Sequence, residues 1–238
     1  MPELVLVALI LFAGALTRAF LGFGDAVVAM PLLALAAVDL QLAVPVVGLG
    51  GVLITLMTVR PRMDVERGIL GRLLAGTLVG LPVGVLLVTR LPERPLKATL
   101  GVMLLAYGVT MLLRPHLRRR LPARWATAFG IAAGALGGAY NLNGVPVAVF
   151  GTLQNWDPER FRGTLQAYFG VSSLLVALGQ GAGGLWSWEV ARLLAVAAPG
   201  MLLAMPLGRA LHRRVTARAF LRAVFGTIAL LGLVLLRP

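Results

Sequence analysis

Residues 125–156 read WATAFGIAAGALGGAYNLNGVPVAVFGTLQNW and contain no Asp, Glu, Lys or Arg. A helix needs about 20 mostly apolar residues to cross the ~30 Å hydrocarbon core of a bilayer, so a charge-free stretch of this length indicates membrane insertion. The stretch is interrupted by Asn141-Leu142-Asn143-Gly144-Val145-Pro146. Gly and Asn tolerate positive φ, and Pro suits the first turn of a new helix. The interruption therefore predicts two short helices joined by a polar tip.

The rest of the chain is equally apolar, with 59% hydrophobic and 13% charged residues and a mean hydropathy of +0.90. Soluble domains average ~45–50% apolar and ~25% charged residues. A soluble helical core of this composition would leave too few polar residues to cover its surface. We therefore predict an all-α polytopic membrane protein that forms a single transmembrane domain over residues 1–238. Further charge-free stretches are 40–59, 73–89, 98–113, 163–188, 193–208 and 223–236.

An internal repeat divides the chain into two halves. GALTRAF at residues 14–20 recurs as GALGGAY at 134–140, and LPVG at 81–84 recurs as MPLG at 205–208. The segment RPHLRRRLPAR between the halves is too polar to enter a bilayer. The predicted organisation is repeat one over residues 1–113, a basic linker over 114–124 and repeat two over 125–238.

The first half also opens with an interrupted apolar stretch. It ends at Phe20, is followed by LGFGD at residues 21–25, and resumes only as far as Val38. Because the N-terminus carries Glu3 and no basic region, we interpret it as the first membrane segment and not as a cleaved signal peptide. Non-helical backbone at membrane depth requires protein or a water-filled cavity around it. We expect the two tips to meet near the midplane; whether the hairpins are re-entrant or fully spanning stays open.

The basic residues set the orientation. The chain has 22 Lys and Arg against 9 Asp and Glu, a net charge of +13, and nearly all the bases lie between apolar runs. This distribution is typical of cytoplasmic loops facing anionic lipid and gives no support for a nucleic-acid partner. We predict that the loops around 60–72, 114–124 and 209–218 are cytoplasmic. Corresponding loops of the two halves then lie on opposite sides of the membrane.

Such an arrangement is the inverted-repeat plan of many secondary transporters. We therefore predict two inverted-topology repeats, each a broken-helix hairpin plus three transmembrane helices. The predicted location is the inner (plasma) membrane of a bacterium, with the chain crossing the bilayer several times. The oligomeric state stays open between a monomer and a homodimer.

The tips favour a small anion as the transported solute. Residues 24–27 and 144–147 would begin new helices, and helix N-termini offer free N–H groups and the positive end of the dipole. Arg18 and Asp25 are the only charges between Glu3 and Asp39, and intramembrane ionisable residues are functional candidates. The predicted substrate-binding residues are Arg18, Gly22, Gly24, Asp25, Tyr140, Asn141, Asn143, Gly144 and Gln166, with Asp25 also predicted to carry a coupling proton.

Structural roles remain as alternatives for these residues. Arg18 and Asp25 could pair with each other, or Arg18 could extend to the membrane surface. Asn141 and Asn143 could cap a broken helix, and Gln166 could form interhelical hydrogen bonds. Tyr168, Ser172, Ser173 and Gln180 are further candidates to line a path, whereas close helix packing explains the glycines at 48, 50 and 51.

The sequence gives little support for an enzyme. It has no Cys, no Ser–His–Asp order, no metalloprotease helix and no phosphate-binding loop. His116 and His212 lie in basic segments without nearby carboxylates, so we expect no metal and no cofactor. A structural or partner-binding membrane subunit is the alternative to a transporter.

Short motifs in both halves resemble one transporter family. Gly22-Phe23-Gly24 followed by Met30-Pro31-Leu32 is similar to the first-half signature of the sulfite exporter TauE/SafE family, also called the toluene-sulfonate uptake permease family. Gly137-Gly138, residues 143–146 (NGVP) and residues 157–162 (DPERFR) resemble its second-half signature. The resemblance covers essentially the whole chain. It implies a permease for small organosulfur anions such as sulfite, driven by an ion gradient; the alternative is a non-sulfur organic anion. Asp25 and the Asn143-Gly144 pair depart from the family pattern.

Overall fold

The computed structural model describes residues 2–58, 64–113, 121–212 and 217–236, and these residues contain ten α-helices and no strand. The helices follow the apolar runs, and the polar or Gly-rich segments separate them. Their bounds are α1 Pro2–Leu21, α2 Asp25–Leu35, α3 Leu40–Thr58, α4 Arg67–Arg90, α5 Glu93–Leu113, α6 Trp125–Tyr140, α7 Gly144–Leu153, α8 Pro158–Ala182, α9 Trp188–His212 and α10 Ala217–Leu235.

The two predicted helix breaks are confirmed. Gly22 and Gly24 have φ values of 89° and 101° between α1 and α2, and Asn141 has φ 58° between α6 and α7. The left-handed region is accessible to Gly and tolerated by Asn. The returning helices are short, with 11 residues in α2 and 10 in α7. At 1.5 Å per residue each is about 15 Å long, roughly half of the hydrocarbon core.

Five described helices are long and apolar enough to cross a membrane, namely α1, α3, α4, α5 and α9. Their outer faces expose large apolar side chains, including Leu56 and Leu113 at 76% each. Water would penalise such a surface, whereas lipid solvates it. The prediction of an all-α polytopic membrane protein is confirmed. Helix α8 has 25 residues but is not among the five, and it carries the polar side chains Gln166, Ser172, Ser173 and Gln180.

Glycines allow α4 and α6 to approach closely. Gly76, Gly80 and Gly84 recur every fourth residue along α4, and Gly130, Gly134 and Gly138 do the same along α6. A Cβ atom at Gly80 would collide with the backbone carbonyl of Ile131, and one at Gly134 with that of Thr77. Small residues at this spacing let helix backbones touch, the usual way for helices to associate in lipid. This contact joins the first half of the chain to the second.

The main helix contacts occur in matching pairs. Helix α1 packs on α9, as α6 packs on α4, and α5 packs on α10 while α3 packs on α8. Exchanging the first five helices with the last five converts the α1–α9 contact into the α6–α4 contact and leaves the α5–α10 and α3–α8 contacts unchanged. This is what two related halves would produce; the inverted orientation of the halves stays a prediction.

Several polar contacts join the segments next to the basic loops. Arg160 pairs with Asp64 at 3.3 Å, and Gln154 Nε2 donates to the carbonyl of Leu121 at 2.7 Å. Arg209 Nη2 donates to the carbonyl of Met57 at 3.3 Å. The ends of α3, α7 and α9 and the starts of α4, α6 and α8 therefore lie at one face of the molecule. The predicted cytoplasmic loops border this same face.

Candidate functional site

The two tips border a common cavity. Asp25 begins α2, and Asn141 and Asn143 form the turn between α6 and α7; all three line it. The cavity has a volume of about 20 Å³, which is room for about one water molecule. It lies at the middle of α3 and α8. The complete lining is Arg18, Asp25, Val47, Gly48, Gly51, Asn141, Asn143, Phe169, Ser173 and Val176.

Arg18 is the most buried charge of the cavity, with 3% of its side chain exposed. Its Nη1 donates to Oδ2 of Asp25 at 2.8 Å, and its Nη2 donates to Oγ1 of Thr55 at 2.6 Å. The guanidinium carbon lies 4.6 Å from the centre of the Phe169 ring, a distance at which the ring attracts a cation. The Nε atom has no hydrogen-bond partner among the described residues. Arg18 and Asp25 therefore pair, while the Nε atom of the guanidinium remains unpaired among the described residues.

The second tip presents two amide side chains. Asn143 Nδ2 donates to Oγ of Ser172 at 3.0 Å. Asn141 Nδ2 donates to the carbonyl of Val44 on α3 at 2.6 Å, and its Oδ1 accepts from Gln180 Nε2 at 3.1 Å. These bonds attach the tip to α3 and α8, so the amides are held at the cavity wall.

Neither returning helix has a side-chain cap at its N-terminus. Gly24, which precedes α2, has no side chain, and the side chain of Asn143, which precedes α7, accepts no hydrogen bond from its helix. The first N–H groups of a helix have no partner within it and carry partial positive charge. The start of α2 stands beside the buried guanidinium. At the start of α7, Val145 N–H already donates to the carbonyl of Leu142 at 3.1 Å and Pro146 has no N–H, so the helix dipole is its main contribution. This arrangement can bind an anion.

Small residues and one aromatic ring shape the cavity wall. A Cβ atom at Gly48 would lie 2.5 Å from Oε1 of Gln180, so a larger residue there would require the Gln180 amide to move. Gly51 faces the ion pair, since a Cβ atom there would lie 3.6 Å from Oδ2 of Asp25. The edge of the Phe169 ring lies beside Gly144, because a Cβ atom at Gly144 would lie 2.5 Å from Cζ of the ring. Phe169 thus contacts both Arg18 and the start of α7.

The predicted site residues divide into two groups. Arg18, Asp25, Asn141 and Asn143 line the cavity together. Among those outside the lining, Gln166 Nε2 donates to the carbonyl of Gly22 at 2.9 Å, and Tyr140 donates to the carbonyl of Leu96 at 3.0 Å. Gly24 and Gly144 flank the helix starts without lining the cavity. The substrate-binding roles of all nine residues stay predictions.

Sequence reasoning missed part of the cavity. The sequence predicts a helix-packing role for Gly48 and Gly51, but both line the cavity, and it predicts no site role for Phe169 or Thr55. Thr55 does carry a signal, because it lies one turn after Gly51 within an apolar stretch of α3. For Phe169 the spacing of four residues from Ser173 on α8 places the two on one face.

The described residues contain no group of three His, Cys, Asp or Glu side chains that could hold a metal ion. His116 lies outside the described residues, and the side chain of His212 is likewise outside them. The expectation of no metal therefore rests on the sequence.

A comparison with protein families matches residues 6–235 to the family described as Sulfite exporter TauE/SafE. The chain belongs to this family. No curated protein and no solved structure matches the chain significantly. Members of the TauE/SafE family are transporters, so the apolar helices and the family match together identify a multi-pass membrane protein that sits in a lipid bilayer and moves a small substrate.

Proposed function

We propose that this TauE/SafE chain is a secondary transporter of a small anion, either sulfite or an organosulfur anion, and that it binds the anion in the cavity between the two tips. We further propose that the protein is a proton-coupled permease and not an enzyme. The observation that carries it is the buried Arg18 at a cavity bordered by two uncapped helix starts.

The Arg18–Asp25 pair explains how an anion could be both accepted and released. A buried guanidinium without a counter-charge costs several kcal/mol, so Asp25 neutralises it between transport events. An entering anion takes over Nη1 of Arg18, and the displaced Asp25 carboxylate takes up one proton to become a neutral carboxylic acid. When the anion leaves, the proton leaves Asp25 and the ion pair forms again. One proton then moves with each anion.

The size of the cavity implies a change of conformation. A volume of about 20 Å³ holds one water molecule but not a sulfonate or sulfite ion. In this conformation the cavity is therefore too small to admit the anion, and transport requires the two tips to separate. Phe169 is the side chain placed to move, since its ring lines the cavity and contacts both Arg18 and the start of α7.

The matching helix contacts and the common face of the basic segments support the proposed topology. Residues 1–113 and 125–238 would be inverted repeats on either side of the basic linker, with tips about 15 Å deep. The face at which Arg160 meets Asp64 would be the cytoplasmic side of a bacterial inner membrane.

Flux measurements in proteoliposomes test the proposal. Sulfite, thiosulfate, a simple sulfonate and acetate are offered with and without a pH gradient. We expect sulfur anions to enter faster than acetate, and the pH gradient to accelerate them. Preference for acetate would favour a non-sulfur organic anion, and no flux of any anion would leave a structural or partner-binding subunit.

Variants locate the site. Asp25→Asn should abolish the response to the pH gradient, and Asn143→Ala should reduce flux at every pH. Gln154→Ala, which changes an amide at the basic face, is the control and should keep full flux. Wild-type flux in both site variants would show that the cavity does not lie on the transport path.

A further inference from the structure

Two glutamines of α8 lie on either side of the cavity, and neither side chain lines it. Between Gln166 and Gln180, α8 contributes Phe169, Ser173 and Val176 to the cavity wall. The two glutamines are about four helical turns apart, which is about 21 Å along the axis. Because a whole number of turns separates them, both side chains leave α8 on nearly the same face.

Each glutamine bonds to one of the two tips. Nε2 of Gln166 donates to the carbonyl of Gly22 in the first tip at 2.9 Å, and Nε2 of Gln180 donates to Oδ1 of Asn141 in the second tip at 3.1 Å. Since both partners are oxygen atoms, the nitrogen of each amide must face the tip. Both Oε1 atoms are buried and have no hydrogen-bond partner among the described residues. Each tip is therefore held by the nitrogen of one amide whose oxygen is unpaired.

The first tip lies between the cavity and the basic face, which is the face where Arg160 pairs with Asp64. Helix α8 begins at this face. The next contacts along α8 are with the first tip: the ring of Phe161 lies 6.5 Å from that of Phe23, and Gln166 follows. The cavity lining on α8 begins only after these contacts. The first tip therefore closes the cavity toward the basic face.

The second tip lies between the cavity and the opposite face. Its Asn141 bonds to Gln180, close to the end of α8 at Ala182, and to the carbonyl of Val44, close to the start of α3 at Leu40. Helix α3 ends and α8 begins at the basic face, so these contacts are at the far ends of both helices. The second tip therefore closes the cavity toward the opposite face.

The two amide bonds are suited to opening and closing. A hydrogen bond inside a protein contributes little net free energy, because it replaces one to water, and a buried polar atom without a partner opposes it. In each glutamine the bond made by Nε2 is offset by the missing bond at Oε1. Water that enters beside a tip hydrates both Oε1 and the released acceptor. Each amide therefore favours the closed tip only slightly.

We propose that Gln166 and Gln180 are positioning residues that act as latches of two opposing gates. Gln166 holds the first tip closed toward the basic face, and Gln180 holds the second tip closed toward the opposite face. Release of one amide opens the cavity to one side, while the other tip keeps it closed to the other side. The use of these gates for anion transport rests on the proposed function, whereas closure of the cavity by the two amides does not.

Cysteine accessibility from the two sides of the membrane tests the latches, because the chain has no Cys of its own. Ser173→Cys places one thiol at the cavity wall, and sealed vesicles of either orientation are treated with a membrane-impermeant methanethiosulfonate. The exposed positions Ala123, at the basic face, and Ser187, between α8 and α9, are changed to Cys in separate variants. Labelling of these two variants shows which face is exposed in each vesicle preparation.

The Ser173→Cys parent should react slowly from both sides, because a cavity of about 20 Å³ does not admit the reagent. Leucine has nearly the volume of glutamine but cannot donate a hydrogen bond. We expect Gln166→Leu in this parent to accelerate labelling from the basic face about tenfold, and Gln180→Leu to do so from the opposite face, by raising the population of one open state. Labelling from the other side should stay slow in each variant.

Matched controls make the same exchange at glutamines away from the tips. Gln154 at the basic face donates to the carbonyl of Leu121, and Gln41 at the opposite face donates to the carbonyl of Val88. Gln154→Leu and Gln41→Leu should label at the rate of the parent. Acceleration from both sides at once, or from neither side, in the two tip variants would overturn the latches and leave the amides as ordinary interhelical bonds.

A cross-link tests the first gate without removing an amide. The rings of Phe23 and Phe161 are 6.5 Å apart at their centres, so Phe23→Cys combined with Phe161→Cys can be joined by a short bis-methanethiosulfonate. Joining them should lower sulfite flux about tenfold, since one open state is lost, and reduction of the cross-link should restore it. Full flux after complete cross-linking would contradict the first gate. This double variant decides if a leucine variant does not fold.

Labelling requires no transported anion, so the latches and the proposed function fail separately. One-sided acceleration in Gln166→Leu and Gln180→Leu, without flux of any anion, supports the latches and defeats the transporter. Sulfite flux that is lost in Asn143→Ala, together with labelling that neither leucine variant changes, defeats only the latches.

Discussion

Arg18 reaches across the first tip to Asp25, with 2.8 Å between Nη1 and Oδ2. The two residues are seven positions apart on different helices, and the chain reverses between them. A pair at this depth holds the tip closed and neutralises a charge that lipid and protein cannot solvate.

The first prediction concerns the stability of this pair. Asp25→Asn and Arg18→Gln should each lower the free energy of unfolding by about 3 kcal/mol, because each leaves one buried charge without its partner. The double variant should lose less than the sum of the two. Thermal unfolding in detergent measures the coupling. Additive losses would show that the pair contributes no interaction.

The second prediction concerns the contact between α4 and α6. Gly80→Ala should lower the free energy of unfolding by about 2 kcal/mol or prevent folding, because the new methyl group would meet the carbonyl of Ile131. Gly71→Ala is the matched control on the same helix, with no atom within 4 Å of the added Cβ. The control should be at least as stable as wild type, since Ala favours helix. Similar Tm values in the two variants would contradict the close contact.

The third prediction separates two glycines of the cavity wall. Gly48→Ala should reduce both stability and flux, because its methyl group would displace the amides of Gln180 and Asn141. Gly51→Ala has ordinary contact distances of 3.6 and 3.7 Å to Asp25 and Arg18, so it should fold normally and slow flux by narrowing the cavity. Tm and proteoliposome flux measured on the same preparations check this difference. Full flux in Gly51→Ala would place the path elsewhere.

The fourth prediction concerns the pH dependence of helix α8, whose first residues lie outside the membrane segment. Oδ1 of Asp157 accepts from the backbone N–H groups of Glu159 and Arg160. The bond from Arg160, followed by its positive charge, lowers the pKa of Asp157 below the ordinary 3.8. The ionised cap therefore stabilises the fold fully above that ordinary value, and this stabilisation is lost as the pH falls through the lower folded value.

Asp157→Asn should keep the helix cap, since Asn caps helices as well as Asp does. The part of the pH dependence of stability that comes from the Asp157 carboxylate should be lost. Asp157→Ala should be less stable than Asn at neutral pH. Unfolding measured as the pH falls from about 5 through 3.8 and below distinguishes them. An Asn variant as acid-sensitive as wild type would assign the effect to other carboxylates.

The helix breaks could be predicted because their causes are local. The sequence directly shows Gly and Asn at the tips and the change there from apolar to polar residues. Helix α6 ends at Tyr140, as this pattern predicts. Helix partners could not be predicted. The four-residue glycine spacing is present in both α4 and α6, but nothing in it says that these two helices touch.

The cavity was predictable only in part for the same reason. Residues near a break, such as Arg18 and Asn143, are recognisable because they are polar in an apolar run. Phe169 and Gly48 look like ordinary residues of membrane helices. Their role arises from the crossing of α3 and α8 beside the tips, which depends on contacts between distant parts of the chain.

The exchange of partners between the halves has a consequence for biosynthesis. Helix α1 packs on α9 and α6 on α4, so α1 leaves the ribosome long before its main neighbour α9 has been made. Such distant contacts delay folding and leave early segments exposed to wrong partners. The first half alone should therefore be a target for membrane proteases. When the two halves are produced as separate chains in one cell, each should allow the other to fold and should protect it from proteolysis.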